Sequence, residues 1–393
     1  MSRTFSVELA TPAHEMAQEE IQKQVAFLTK GIANIRFSGE GSLLEFDAPD
    51  GSSEVLADQA RELSLKVQRG LRSLHRKVAY RTPACDGVRF RGHGLDPGVI
   101  SMGIGQVALE GLPLSLFRYF DRVTQNFGHP WQARDLLTPT LIPAATLAKC
   151  DYFRSFPQNV TFACHIGEDA DTIAAFRDRH KDRDDLEPEA LASMQTPEAC
   201  LSPAVCYHVY AMNRNRVIPA TGLAYNVSGK CFRYESTNMR DLRRLWDFTM
   251  RETVFLGSRE DVLSRRDRST EMMKTFLDTH RLAAEIRTAS DPFFIAPDAM
   301  AKTYFQLSSE TKFEVSLLLP DDQRLAVGSL NYHSDFFGRA FSVGVEGAGA
   351  MHSVCVAFGL ERLVYAFLEQ HGNDPVAWPE TVRNAPEFAH GSR

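Results

Sequence analysis

Beyond Ala199 the chain reads as short strands rich in Val, Tyr and Phe, punctuated by turns, with few long helices. That alternation predicts an antiparallel sheet rather than a doubly wound parallel one. The expected fold class is α+β, a large antiparallel sheet flanked by helices. At 393 residues and 44% hydrophobic content, the chain can bury a large core, with room for a second, smaller unit. There is no glycine-rich phosphate loop ending in Gly-Lys-Ser or Gly-Lys-Thr, and no convincing dinucleotide fingerprint after a strand. A nucleotide would have to be held without either cradle.

The first eighty residues read as that smaller unit. Phe5, Val7 and Leu9 alternate as a strand would, and Thr11-Pro12 opens a helix with Ala17, Ile21, Val25 and Leu28 on its apolar face. Two short strands follow around Ile35–Phe37 and Leu43–Phe46. A second helix carries Leu56, Ala60, Leu63, Val67, Leu71, Leu74 and Val78 at helical spacing. The expectation is a small βαββα domain over residues 1–81, a linker over 82–98 marked by Pro83, Gly87, Gly92, Gly94, Pro97 and Gly98, and a large domain over 99–393. Asp169 to Pro197 reads as a polar helical insertion.

Charged residues make up 24% of the chain and the net charge is -6, which argues against disorder and against a surface built throughout for nucleic acid. Nowhere do eighteen apolar residues run uninterrupted, so neither a membrane span nor a secreted protein is expected. The seven cysteines include no C-x-x-C pair, which fits a reduced, cytoplasmic chain.

Two segments carry the chemistry. In Cys231-Phe232-Arg233-Tyr234-Glu235-Ser236, Arg233 and Glu235 share one face of a strand, because side chains alternate. The guanidinium can fork onto a phosphate while the carboxylate accepts from an amine such as that of adenine. Taken alone, the pair reads first as an exposed ion pair on a strand. In the second segment a strand over Ser353–Phe358 turns at Gly359 into a helix, putting Arg362 in the first helical turn, where the macrodipole also attracts anions. Its plain alternative is a surface salt bridge.

Together these segments resemble motifs 2 and 3 of class II aminoacyl-tRNA synthetases, Phe-Arg-x-Glu and Gly-x-Glu-Arg. The resemblance implies that family's antiparallel sheet and a bent ATP, with Arg233 on the α-phosphate, Glu235 on adenine and Arg362 on the outer phosphates. A finer likeness appears in Cys206, Glu252 and Cys355, which by residue type alone could be unrelated core side chains. Their arrangement resembles the zinc-binding subgroup of atypical archaeal seryl-tRNA synthetases and bacterial amino acid:carrier protein ligases. That likeness implies Zn2+ held by two thiolates and one carboxylate, with the open position taken by the substrate's amine, a donor set typical of catalytic zinc.

Asp291-Pro292-Phe293-Phe294, Lys312-Phe313-Glu314, Gly328 to His333 with Asp335 to Gly338, and His371 to Asp374 with Trp378-Pro379 also resemble the carrier protein ligases. Two departures stand out. The N-terminal unit is additional to the minimal ligases, and Leu325-Ala326-Val327-Gly328 replaces an acidic segment that in seryl-type enzymes binds Mg2+. Glu314 is the nearest substitute for that ligand, and it reads equally as a buried salt-bridged carboxylate.

The implied activity is adenylation of a small amino acid by ATP, followed by transfer to the phosphopantetheine thiol of an acidic carrier protein. Its rivals are charging of tRNA and a non-catalytic, synthetase-derived regulatory role. Basic residues from Arg61 to Arg91 (Lys66, Arg69, Arg72, Arg76, Lys77, Arg81 and Arg89 between them) form either a solvated helix face or a patch for an acidic partner. Class II enzymes are typically dimers, so Leu112 to Pro143 is the expected homodimer interface.

Overall fold

The computed structural model describes residues 2–388 except 53–54, 72–75, 92–97, 236–238, 240, 291–301, 304–305 and 308. The small unit contains strand β1 (Ser2–Glu8), helix α1 (Glu15–Val25), strands β2 (Ala33–Ser38) and β3 (Leu43–Pro49), and helix α2 (Val55–Leu71). The three strands form their own antiparallel sheet in the order β1-β3-β2. Phe5 and Val7 of β1, and Leu44, Phe46 and Ala48 of β3, bury one face against Ala17, Ile21 and Val25 of α1 and Leu56, Ala60 and Val67 of α2. The period-2 and period-3.6 patterns meet in one core, as their spacing requires.

Two sequence expectations fail here. The second helix ends at Leu71, Leu74 lies outside the described residues, and Val78 belongs to a strand, β4 (Val78–Arg81), which joins the large sheet rather than the small unit. The stretch after it is not a free linker throughout, because Thr82 and Cys85 are buried and Thr82 Oγ1 donates to the Leu282 carbonyl at 2.7 Å. Much of the basic run is also internally paired. Arg76 makes a bidentate contact with Glu19 at 2.7 and 2.6 Å, Arg61 pairs with Asp58, Lys77 with Glu310, and Arg81 with Asp86. Arg72 lies outside the described residues, and Lys66, Arg69, Arg89 and Arg91 are exposed.

The large unit opens with a hairpin over Val99–Gly103 and Gln106–Leu109, then helix α3 (Gly111–Gln125) and strand β5 (Arg134–Leu137). A polar insertion follows, containing α4 (Ala170–His180), no residue of which is buried. After it come α5 (Cys206–Met212), β6 (Leu223–Phe232), β7 (Asp247–Gly257), α6 (Arg259–Thr279), β8 (Ala284–Thr288), β9 (Lys312–Leu318), β10 (Arg324–Tyr332), β11 (His352–Gly359) and α7 (Leu360–His371).

Among the described residues the large sheet has eight strands in the order β4-β8-β9-β10-β11-β7-β6-β5. Every pairing is antiparallel except β6 with β5 at one edge. The 21-residue α6 is one of the few long helices after Ala199. Its buried stripe mixes Val262, Met273, Phe276 and Leu277 with Arg265 and Ser269, so apolar periodicity alone does not announce it.

One face of this sheet is closed by α3, α6 and α7. Phe120 of α3, Phe276 of α6, Phe358 of β11 and Phe367 of α7 share one apolar cluster, with Phe127 stacked edge-on to Phe358 at 4.9 Å between centroids. Such aromatic burial is worth several kcal/mol per ring, about 3–5 on truncation to Ala. The opposite face is left to the site.

Candidate active site

Register decides which side chains share the open face. Residues directly opposite in a ladder point the same way, and alternate residues along a strand return to that face. Glu252 lies opposite Ala357, Met250 opposite Gly359, and Val254 opposite Cys355. Cys355 is opposite Asn331 and Ala357 opposite Ser329, while Ser329 is opposite Glu314 and Asn331 opposite Lys312. Lys312, Glu314, Ser329, Asn331, Cys355, Ala357, Met250 and Glu252 therefore form one contiguous surface. Ser329, Ala357 and Gly359 are small, which leaves space above the middle of the sheet.

That space is two adjoining cavities. The first is about 150 Å³, lined by Arg233, Glu235, Phe248, Lys312, Glu314, Gly328, Glu361 and Arg362 among others. The second is about 370 Å³ and includes Tyr152, Cys206, Tyr207, Glu252, Lys302, Asn331, His333, Phe337 and Cys355. Arg233, Met250 and Ala357 line both. Arg233 thus stands at the junction.

Arg233 continues the β6–β7 ladder just past Phe232, its amide donating to the Trp246 carbonyl at 3.0 Å. Its Nε donates to the Pro203 carbonyl at 3.0 Å, and its guanidinium lies 5.4 Å from the Phe248 ring centroid. Arg362 is the third residue of α7. Its Nε donates to the Arg243 carbonyl at 2.7 Å and its Nη1 to the Ala326 carbonyl at 3.1 Å. Burial lowers the Arg362 pKa, with repulsion from Arg244 and Arg233 adding to it against the pull of Glu235. Glu235 pairs with Arg244 at 3.1 Å. Among the described residues neither Arg233 nor Arg362 has a salt-bridge partner, so two largely desolvated cations face one cavity, an arrangement that can neutralise an anion.

Glu361 beside Arg362 has a structural task. It is buried, accepting from the Thr249 amide at 2.9 and 2.8 Å and from Thr249 Oγ1 at 2.8 Å. Those bonds tie the first turn of α7 to β7. Glu314, by contrast, faces the cavity and accepts from Ser316 Oγ at 3.0 Å.

In the second cavity the ligand atoms of Cys206, Glu252 and Cys355 all lie within 4.8 Å of one another, and all three residues are buried. Cys206 comes from the start of α5, the other two from β7 and β11. Glu252 Oε1 has no hydrogen-bond partner. The hydrogen bond with Cys355, burial and the neighbouring acidic groups push the Cys206 thiol up. Burial first, then Cys355, pushes Glu252 up. Although burial opposes it, Cys355 is held low by Cys206, His333 and Tyr210, whose hydroxyl lies 3.1 Å from the sulfur. Three acidic groups this close cannot all ionise without a cation, and one metal ion would satisfy all three together with the orphaned oxygen.

The structure thus brings Cys206, Glu252 and Cys355 into one pocket and Arg233, Glu235, Glu314 and Arg362 into the next. Asp291 to Phe294, singled out by resemblance, lie outside the described residues. Asp151, Tyr152, Tyr207, Lys302 and Gln306 were not anticipated, because they arrive from separate segments without a local pattern. Lys302 Nζ lies 3.1 Å from Asp151 Oδ2 and 2.9 Å from Ser155 Oγ on the wall of the second cavity.

Residues 191–371 match the tRNA synthetase class II core domain (G, H, P, S and T). The chain is 34% identical over 251 residues to "Amino acid--[acyl-carrier-protein] ligase 1" of Bradyrhizobium diazoefficiens, spanning 63% of this chain and 74% of that protein. It is 25% identical to the type-2 serine--tRNA ligase of Methanopyrus kandleri, spanning 67% of this chain and 52% of that one. A crystal structure of M. kandleri SerRS in complex with A. aeolicus tRNASec superimposes with a TM-score of 0.68 at 19% identity, over 97% of this chain and 77% of that one. Among the described residues no helix is long and apolar enough to cross a membrane.

Proposed function

The chain belongs to the amino acid–acyl-carrier-protein ligase family, built on the class II synthetase core, and we propose that it forms an aminoacyl-adenylate and passes the acyl group to a carrier protein's phosphopantetheine thiol. One observation carries the reading: Arg233 stands where the cavity it shares with Arg362 meets the pocket that holds Cys206, Glu252 and Cys355. ATP takes the first cavity, with Arg362 on the outer phosphates and Glu235 towards adenine. The amino acid takes the second.

In the first step a carboxylate oxygen of the amino acid attacks the α-phosphorus and pyrophosphate leaves. Arg233 neutralises charge on the α-phosphate as it develops, and positioning does most of the work. In the second step the carrier thiolate attacks the mixed anhydride and AMP leaves. Cys206, Glu252 and Cys355 would hold zinc, which when bound favours an unprotonated α-amine and so fixes the amino acid's orientation. Glu314, which lines the first cavity, would hold a magnesium ion, which when bound would neutralise phosphate charge.

A homodimer through the segment from Leu112 to Pro143 and a cytoplasmic setting, in keeping with seven free cysteines, complete the proposal. Charging of tRNA is the second reading. What favours it is the additional N-terminal unit, together with the similarity to a serine--tRNA ligase. Amino-acid-dependent exchange of pyrophosphate into ATP tests the first step, and the fate of the labelled acyl group separates the two acceptors.

A further inference from the structure

Among the described residues, Leu307 links the small N-terminal unit to the second cavity. Leu307 is buried in the unit's own apolar cluster, with Phe5, Ile21, Leu44 and Phe46. The residue before it, Gln306, lines the second cavity, as do Lys302 and Thr311 on either side. Two backbone bonds tie Leu307 and Gln306 to the residues that follow. The Glu310 amide donates to the Leu307 carbonyl at 3.4 Å and the Thr311 amide to the Gln306 carbonyl at 3.1 Å.

Further contacts fasten this stretch at both ends. Glu310 pairs with Lys77 at 2.9 Å, at the entry to β4. Thr311 accepts from the amide of Tyr332, another residue of the cavity wall, at 2.7 Å. Beside it, Glu15 of α1 bridges Arg287 of β8 at 3.2 Å and Arg324 of β10 at 3.1 Å. Each unit's packing therefore constrains the other, through an apolar anchor with charged contacts around it.

We propose that the N-terminal unit is a positioning support for the amino-acid pocket, with Leu307 as the positioning residue that holds Lys302, Gln306 and Thr311 in the wall. This rests on the reading of the second cavity as the amino-acid site. Leu307 touches no substrate. It acts by fixing the wall, so its loss should weaken amino-acid binding far more than nucleotide binding.

The test compares Leu307→Ala with Leu28→Ala, which trims the edge of the same apolar cluster without touching the wall. Both should lower the melting temperature. Leu307→Ala alone should raise the KM for the amino acid about 10-fold, with the KM for ATP changed less than about 2-fold, and Leu307→Met should restore most of the difference. Hydrogen exchange at the Glu310 and Thr311 amides, read without any substrate, should accelerate about 10-fold or more in Leu307→Ala and stay unchanged in Leu28→Ala. Unchanged exchange at those two amides in Leu307→Ala would overturn the proposal, as would equal amino-acid KM values in the two variants. If the wild-type protein activated no amino acid, the functional reading would fail while the exchange result still decided the coupling.

Discussion

Glu252 and Cys355 sit diagonally across the seam between β7 and β11: Glu252 is opposite Ala357, Cys355 is opposite Val254, and Cys206 closes the triangle from α5. Purified protein should carry about one zinc per chain. Cys206→Ala and Cys355→Ala should each lose the metal and the activation step while keeping most of the fold, because each removes only one sulfur from a larger apolar cluster. Metal analysis by mass spectrometry checks this. A full zinc complement in the Cys206/Cys355 double variant contradicts the assignment.

Arg233 and Arg362 face the first cavity without a carboxylate partner among the described residues. Alanine at either position should slow adenylate formation by about 100-fold or more if each stabilises charge in the transition state. Lysine at 233 should rescue poorly, since a point charge cannot reproduce a fork that also spans the Pro203 carbonyl. Steady-state pyrophosphate exchange measures both. Near wild-type rates in Arg233→Ala would remove the phosphate reading.

The core predicts an acid limit to stability. Buried His280 is held between Tyr119 Oη at 2.8 Å and the Phe276 carbonyl at 2.6 Å, and burial depresses its pKa to about 4. The unfolded chain binds this proton below about 6.5, the folded chain only below about 4. Stability is therefore fully retained above about pH 6.5 and falls between 6.5 and 4, by roughly 3 kcal/mol from this group. Urea unfolding at pH 7.5 and 4.5 should show the drop, with a shallower one in His280→Gln. An identical drop in both proteins would show that His280 is not its source.

The residues assigned to phosphate and adenine were legible because each lies in a short segment with a recognisable pattern. Arg233 and Glu235 were read on a strand that in the structure ends just before them, at Phe232, yet both line the first cavity; Arg362 follows the strand-ending Gly359, which places it in the first helical turn. Convergence was legible only by resemblance. Nothing local in Cys206, Glu252 and Cys355 says that α5 folds over the β7–β11 seam. Tyr152, Tyr207 and Lys302 carry no pattern at all, since a pocket wall is assembled by tertiary contacts. The missed helix α6 hides its face because Arg265 is buried through its pair with Asp261 at 2.9 Å, a compensation that apolar periodicity does not detect. Val78 misled for the opposite reason: it extends the helical spacing by chance after the helix has ended.

The most direct test is to supply the wild-type protein with ATP, labelled pyrophosphate and each common amino acid in turn, then add a phosphopantetheinylated carrier protein or bulk tRNA. The account predicts exchange that depends on one or a few amino acids. It also predicts acyl label in a hydroxylamine-sensitive thioester on the carrier. Label on tRNA with none on the carrier would reverse the choice of acceptor, and no amino-acid-dependent exchange with any of them would contradict adenylate formation itself.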